Sequence, residues 1–229
     1  MSTSGTYTFA PGMGELTLYA LDMIDVRNTA IQQEHMQTAR MATNLMLGRW
    51  ASMGVNLWTV DLQTVALVQG TSTYTVPTTT LSMLDTYVSF SSGGTTTNRV
   101  IMPISRTEFS SYAQPNQQGF PTTYWFDRLL SPTVTVWPVP DSDLYTLNYY
   151  RVRQIQDSNF TNGQQPEIPQ NWLEAFALGL ASRLALIWKP EKASVLKSLA
   201  DEAYQIAATQ NIESSQFYIS PQIGGYFRA

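Results

Sequence analysis

The chain has no cysteine and a single histidine, His35, in 229 residues. The first absence excludes disulfides and thiolate metal sites, and the second excludes a His-rich metal centre. Charge is scarce as well. Asp, Glu, Lys and Arg make up 13 % of the chain, about half the usual ~25 %. Thr, Ser, Gln and Asn take their place, giving a neutral polar surface suited to a chain covered by neighbours. The net charge of −4 and the 13 scattered basic residues argue against a protein that grips nucleic acid through phosphate contacts. The N-terminus lacks the charged and apolar regions of a secretory signal, so the expectation is a soluble chain made in a cytoplasm, with no membrane span.

Chemistry-bearing patterns are equally sparse. His35 lies in a polar stretch and has no Ser or carboxylate at triad spacing, so it reads as a surface or bundle-edge residue. Gly93-Gly94 has no Lys after it and no helix to open, and reads as a loop tip, not a phosphate cradle. Asp141 and Asp143 sit in a Pro-rich turn, and Glu167 is explained by the dipole of a helix start close by. Glu174 is the other carboxylate that could face a cleft with Glu167. No catalytic residue, metal ligand or cofactor is expected.

What the sequence does hold is a long apolar segment at 169–211, broken at Lys189-Pro190 into two helices. The first, ending at Trp188, is apolar around almost its whole circumference, with only Glu174 and Arg183 interrupting it, which predicts burial on every side. Interior charges and a Pro at each end argue against a bilayer span. The second opens with Pro190-Glu191 and steps through Leu196, Leu199, Ala203 and Ile206, predicting one buried stripe and a polar back. Earlier, Leu16, Tyr19, Ala20, Met23 and Val26 mark a helix over 15–27. Ala39, Ala42, Met46, Trp50 and Met53 mark another, ending at Gly54. The methionines at 41, 46 and 53 read as core.

From Val55 to Tyr150 the chain is rich in Thr, Val, Tyr and Trp. Short strands are expected at 57–60, 65–68, 73–76, 124–126, 133–137 and 144–150, forming an antiparallel meander. Ser91 to Asn98 reads as a hairpin tip. Ser105 and Glu108 fit a capping box that opens a short helix ending near Tyr112. The rings of Trp58, Tyr124, Trp125, Phe126, Trp137, Tyr149 and Tyr150 read as core or interface, with a carbohydrate-binding face as the alternative. The architecture is therefore α+β: a four-helix bundle with an inserted antiparallel β-rich domain and an extended C-terminal strap. Its segments are an N-terminal arm (1–13), bundle helices 1 and 2 (14–54), the inserted domain (55–165), bundle helices 3 and 4 (166–211) and the strap (212–229). The strap carries four aromatics in 18 residues, too apolar for a free tail and too broken by Gly and Pro for a helix, which suggests that it docks on something.

Residues 119–127 spell G-x-P-x-x-Y-x-x-D through Gly119, Pro121, Tyr124 and Asp127, and a strand then leads to a corner at Pro138 and Pro140. This pattern resembles the head-to-tail adaptor proteins of tailed bacteriophages, also called tail tubular protein A or the portal-bound head-completion ring. Three segments agree with it in order. Trp50 to Gly54 is similar to the family's W-x-x-x-G step, 104–109 to its I-S-x-x-E-[YF] turn, and Trp172 to Leu186 to its A-L-x-x-x-L-A-x-x-L-A helix. The resemblance implies a non-enzymatic structural protein of the virion neck, between head and tail. It further implies a homo-oligomeric, twelvefold ring beneath the portal protein, which seals the channel, supports the tail or nozzle protein and lets genomic DNA pass without sequence-specific binding. In that family the strap climbs onto the portal, which makes Phe217, Tyr218, Ile219, Tyr226 and Phe227 the expected portal contacts. Another neck or tail ring protein is the nearest alternative. A virion-borne cell-wall hydrolase using Asp141 with Glu167, and a receptor-binding module using exposed aromatics, are the others.

Overall fold

The computed structural model describes residues 3, 5–6, 9–54, 56–160 and 163–211. The strap at 212–229, with the five residues expected to touch the portal, lies outside the described residues. The chain is α+β, with two sheets and five α-helices among the described residues.

Two helices come first, α1 (Met13–Met23) and α2 (Gln33–Ser52). α1 starts where the Glu15 carboxylate reaches back to the Gly12 N–H at 2.9 Å. It buries Met13, Leu16, Thr17, Ala20 and Leu21, so its core face is offset from the expected stripe and Tyr19 is exposed. Val26 lies beyond the helix end yet still packs on the core. α2 opens in the same manner, with the Gln32 N–H donating to His35 Nδ1 at 3.1 Å. It buries Ala39, Thr43, Met46, Leu47 and Trp50. Of the methionines expected inside, only Met46 is buried; Met41 and Met53 are exposed. Gly54 follows α2 at φ +148°, a backbone that side chains disfavour.

The β region then runs through β1 (Val60–Ala66), β2 (Thr73–Thr75), β3 (Thr80–Ser92), β4 (Thr95–Val100), β5 (Met102–Pro103), β6 (Thr123–Asp127), β7 (Thr133–Trp137) and β8 (Tyr145–Arg153). A short helix, α3 (Arg106–Ser110), lies between β5 and β6, with Ser105 Oγ accepting from the Glu108 N–H at 3.1 Å. The stretch at 57–60, expected as a strand, is mostly a single 3-10 turn (Leu57–Thr59) that delivers the chain into β1. The meander is also overturned. The strands form two four-stranded sheets, ordered β1-β8-β3-β4 and β2-β7-β6-β5, in which β1-β8, β8-β3 and β2-β7 pair strands far apart in the chain. Pairing is antiparallel except for β5 against β6. β3 and β4 are joined at Gly93-Gly94, both at positive φ (+59° and +82°), as a two-residue hairpin turn requires. Leu67, Val76, Val88, Ile101, Tyr124, Val134, Val136, Leu147 and Tyr149 form the β core.

β1 and β8, the strands by which the chain enters and leaves this region, are antiparallel neighbours from Val60↔Val152 to Ala66↔Thr146. The connection after β8 is irregular up to the 3-10 turn Gln170–Trp172. Then come α4 (Leu173–Trp188) and α5 (Pro190–Thr209). α4 touches α1, α2 and α5, and residues of all four close one hydrophobic core with Trp172 and Ile155. Trp172 sits at its aromatic centre, 5.3 Å from Trp50, 4.9 Å from Trp58 and 5.2 Å from Tyr204 between ring centroids.

Two expectations about α4 and α5 are corrected. α4 is not buried all round: Ala175, Phe176, Ala177, Leu180, Ala181, Leu184 and Ala185 are inside, while Leu186 and Ile187 are exposed. The buried row of α5 is Ala193, Leu196, Ala200, Ala203 and Ala207. Leu199 and Ile206, expected in that row, face out. Small residues let α5 lie close on α4, which displaces the larger apolar residues to the flank.

Candidate functional site

The family-pattern residues fall into two groups that do not meet in one site. Trp50 and Gly54 belong to the end of α2, and Trp50 is buried against Trp172 and Phe176. The other six surround β6 and β7. Tyr124 is buried and donates from its hydroxyl to the Leu84 carbonyl at 3.3 Å. Asp127 ends β6 opposite Thr133. Pro121 is buried, Pro138 follows a cis peptide bond, and Pro140 is buried with its carbonyl accepting from the Gly70 N–H at 2.9 Å. The Gly119 N–H donates to the Val139 carbonyl at 2.8 Å, tying 117–119 alongside the Pro138 corner. Across the same edge Tyr112 stacks on Trp137 at 4.2 Å and Phe109 on Trp125 at 5.7 Å. These residues build the β framework.

The carboxylates weighed for catalysis are committed elsewhere. Asp143 accepts from the Gln69 N–H at 2.6 Å. Glu167 is not a dipole partner of a helix start. It is gripped by both terminal nitrogens of Arg153 and accepts from the Gln156 N–H at 2.8 Å. Burial pushes its carboxyl up, but these bonds outweigh burial and hold it below the ordinary range. That is the wrong direction for a general acid near neutral pH. Glu174 stands in the first turn of α4, and Asp141 lies in the β7–β8 turn. His35 caps α2 and packs on Trp188 at 4.7 Å. No group of three or more His, Asp or Glu side chains among the described residues is placed to hold a metal ion.

A feature the sequence reading missed is a groove of about 530 Å³ between α2, α4 and α5. Met46, Arg49 and Trp50 of α2, with Met53 just past its end, form one wall, Gly179, Ser182, Arg183 and Leu186 of α4 the floor, and Lys197, Asp201, Tyr204 and Gln205 of α5 the other wall. Gly179 lets the walls approach: a Cβ there would lie 2.7 Å from Met46 Sδ. Arg183 is half-buried, and burial first, then the Arg49 charge, pulls its guanidinium below the ordinary value. Among the described residues neither Arg49 nor Arg183 has a carboxylate within ion-pair distance. Arg183 was visible in the sequence as an interruption of an apolar helix. Its partner Arg49 belongs to a distant helix, and only the fold brings them together.

The helical half also keeps apolar side chains uncovered: Tyr19, Met41, Leu45, Met53, Leu186, Ile187, Val195, Leu199 and Ile206 are all exposed. No helix among the described residues is long and apolar enough to cross a membrane. The family model of the SU10 adaptor protein matches residues 15–221, and the chain belongs to that family of phage structural adaptors. The match agrees with the head-to-tail adaptor resemblance carried by the sequence and leaves the first 14 residues and the last eight outside it. No curated protein matches the chain.

Proposed function

We propose that the protein is the head-to-tail adaptor of a virion neck, a ring bound beneath the portal that seals the DNA channel and carries the tail or nozzle. In this reading α1, α2, α4 and α5 act as a four-helix bundle that packs beside its neighbours. The region 55–165 is an inserted domain, and the strap at 212–229 reaches the portal through Phe217, Tyr218, Ile219, Tyr226 and Phe227. The observation that carries the reading is the row of uncovered apolar side chains on the helices of a chain that belongs to an adaptor family. A monomer would gain nothing from holding Val195, Leu199, Ile206, Leu186 and Ile187 in water, whereas a closed ring covers such flanks on every copy. Twelve copies give many weak strap contacts that act together through effective concentration. A chain of net charge −4, repeated around a channel, lets DNA slide instead of holding it.

Electron microscopy of the protein, alone and mixed with the portal ring of the same phage, tests this. A twelvefold collar under the portal is the expected image. A protein that stays monomeric and unbound in both preparations sinks the adaptor ring. A cell-wall hydrolase built on Asp141 and Glu167 draws no support from the geometry, because Glu167 is held in its ion pair with Arg153.

A further inference from the structure

α5 has three working faces, and two of them match each other. At about 100° per residue, the buried row Ala193, Leu196, Ala200, Ala203 and Ala207 occupies one sector, and the groove residues Lys197, Asp201 and Tyr204 lie about 90° to one side of it. Val195, Leu199, Glu202 and Ile206 fall within about 60° of one another, about 110° to the other side. The apolar members of that second stripe are well exposed, at 61 % for Val195, 42 % for Leu199 and 60 % for Ile206. The spacing of four, three and four makes a continuous seam, with one carboxylate set among three apolar side chains. Glu202 is exposed and has no ion-pair partner among the described residues.

The groove is the inverse of this seam. Its rim is apolar at Met53 and Leu186, and its charge is the Arg49, Arg183 and Lys197 set against the single Asp201. Its length also fits. The groove follows α5 from Ala193 to Gln205, about 18 Å, and the seam from Val195 to Ile206 covers about 16 Å.

We propose that the α5 seam of one copy lies in the α2–α4–α5 groove of the next, with Glu202 meeting Arg183 and Arg49. This rests on the ring reading above and names the surfaces that join its subunits. The seam and the groove are on opposite flanks of the same helix, so a copy that has filled its neighbour's groove still offers an empty groove of its own. Such a head-to-tail contact cannot stop at a dimer, and it closes only as a ring or continues as a filament. The half-buried Arg183, which repels Arg49 within its own chain, gains its counter-charge from the neighbour. A buried cation paired in this way selects the partner and its register more than it adds affinity.

The natural absence of cysteine makes a direct test possible. R183C and E202C single variants, mixed on the portal and treated with a short bismaleimide, are expected to give a two-chain product. Its yield should exceed that of either variant alone by about tenfold, since seated neighbours hold the two thiols at high effective concentration. Charge reversal gives a second reading: E202R or R183E alone should weaken assembly, and a mixture carrying both changes should recover it. Circular dichroism melts of each variant separate misfolding from lost docking. If the wild-type protein forms a collar on the portal and the thiols do not link, the groove contact is overturned and the ring stands. If the wild type forms no collar, with or without portal, the ring reading falls and this contact falls with it.

Discussion

Tyr149 is fully buried in the middle of β8, and its hydroxyl has no hydrogen-bond partner among the described residues. Burial also pushes its phenol up. A buried polar group without a partner costs stability, so Tyr149→Phe is expected to leave urea-denaturation stability unchanged or raise it by up to about 1 kcal/mol. A clear loss would mean that the hydroxyl has a partner in solution. Arg151, its neighbour but one, is the opposite case. It is almost buried, holds Asp61 at 2.7 and 3.0 Å, and donates to the hydroxyls of Thr79 and Thr80 at 3.1 Å. The Arg151 hydrogen bonds set the Asp61 carboxyl below its ordinary value against a smaller effect of burial. A carboxylate lowered in the folded state stabilises fully above its unfolded value, and that contribution is lost as pH falls below about 4 through the folded value. Asp61→Asn should therefore cost about 1–3 kcal/mol at neutral pH, by leaving a buried guanidinium short of its counter-charge. It should also flatten the acid limb of a stability-versus-pH curve; a variant that kept the wild-type slope would show that Asp61 contributes nothing to it.

At the scale of elements, the contact of α2 with α4 turns on Gly179. Alanine would favour the helix by about 1 kcal/mol, but its Cβ would press on the buried sulfur of Met46, and overpacking costs about 1–3 kcal/mol. Gly179→Ala is expected to lower stability by about 1 kcal/mol on balance, and the double change with Met46→Ala should lose less than the sum of the two. Strict additivity in thermal melts would mean that the two residues do not press on each other. Much of the helical half was legible in the sequence. The break at Lys189-Pro190, the end of α2 before Gly54 and the Ser105 cap are local chemistry, and local chemistry can be read along one chain. Which face of each helix goes inside was read less well. Ranking by size sent Leu199 and Ile206 inward and left Ala193, Ala200 and Ala207 unremarked, because close helix approach rewards small residues that hydrophobicity scales rank low. Strand order was read worst: β8 sits between β1 and β3 through pairings that span most of the β region, and no turn signal encodes them. The groove was invisible for the same reason, since it needs Arg49, Arg183 and Lys197 from three helices.

For the molecule as a whole, the described residues close both cores between Met13 and Ala208. Deleting residues 214–229 is therefore expected to leave the cooperative melt of the remaining fold in place while abolishing attachment to the portal. Attachment that survived the deletion would refute the role given to the strap. The two cores, in turn, are joined in an unusual manner. The chain crosses between them twice, at β1 and at β8, and the two crossings are rungs of one ladder from Val60↔Val152 onward. Just outside that ladder Trp58 packs on Trp172 and Ile155 enters the helical core, so each crossing is clamped at its foot. A single linker would act as a swivel. Two clamped strands lying side by side share tension and resist rotation about their common axis, so a pull or a twist applied to the β region is delivered to the helices as torque as well as load.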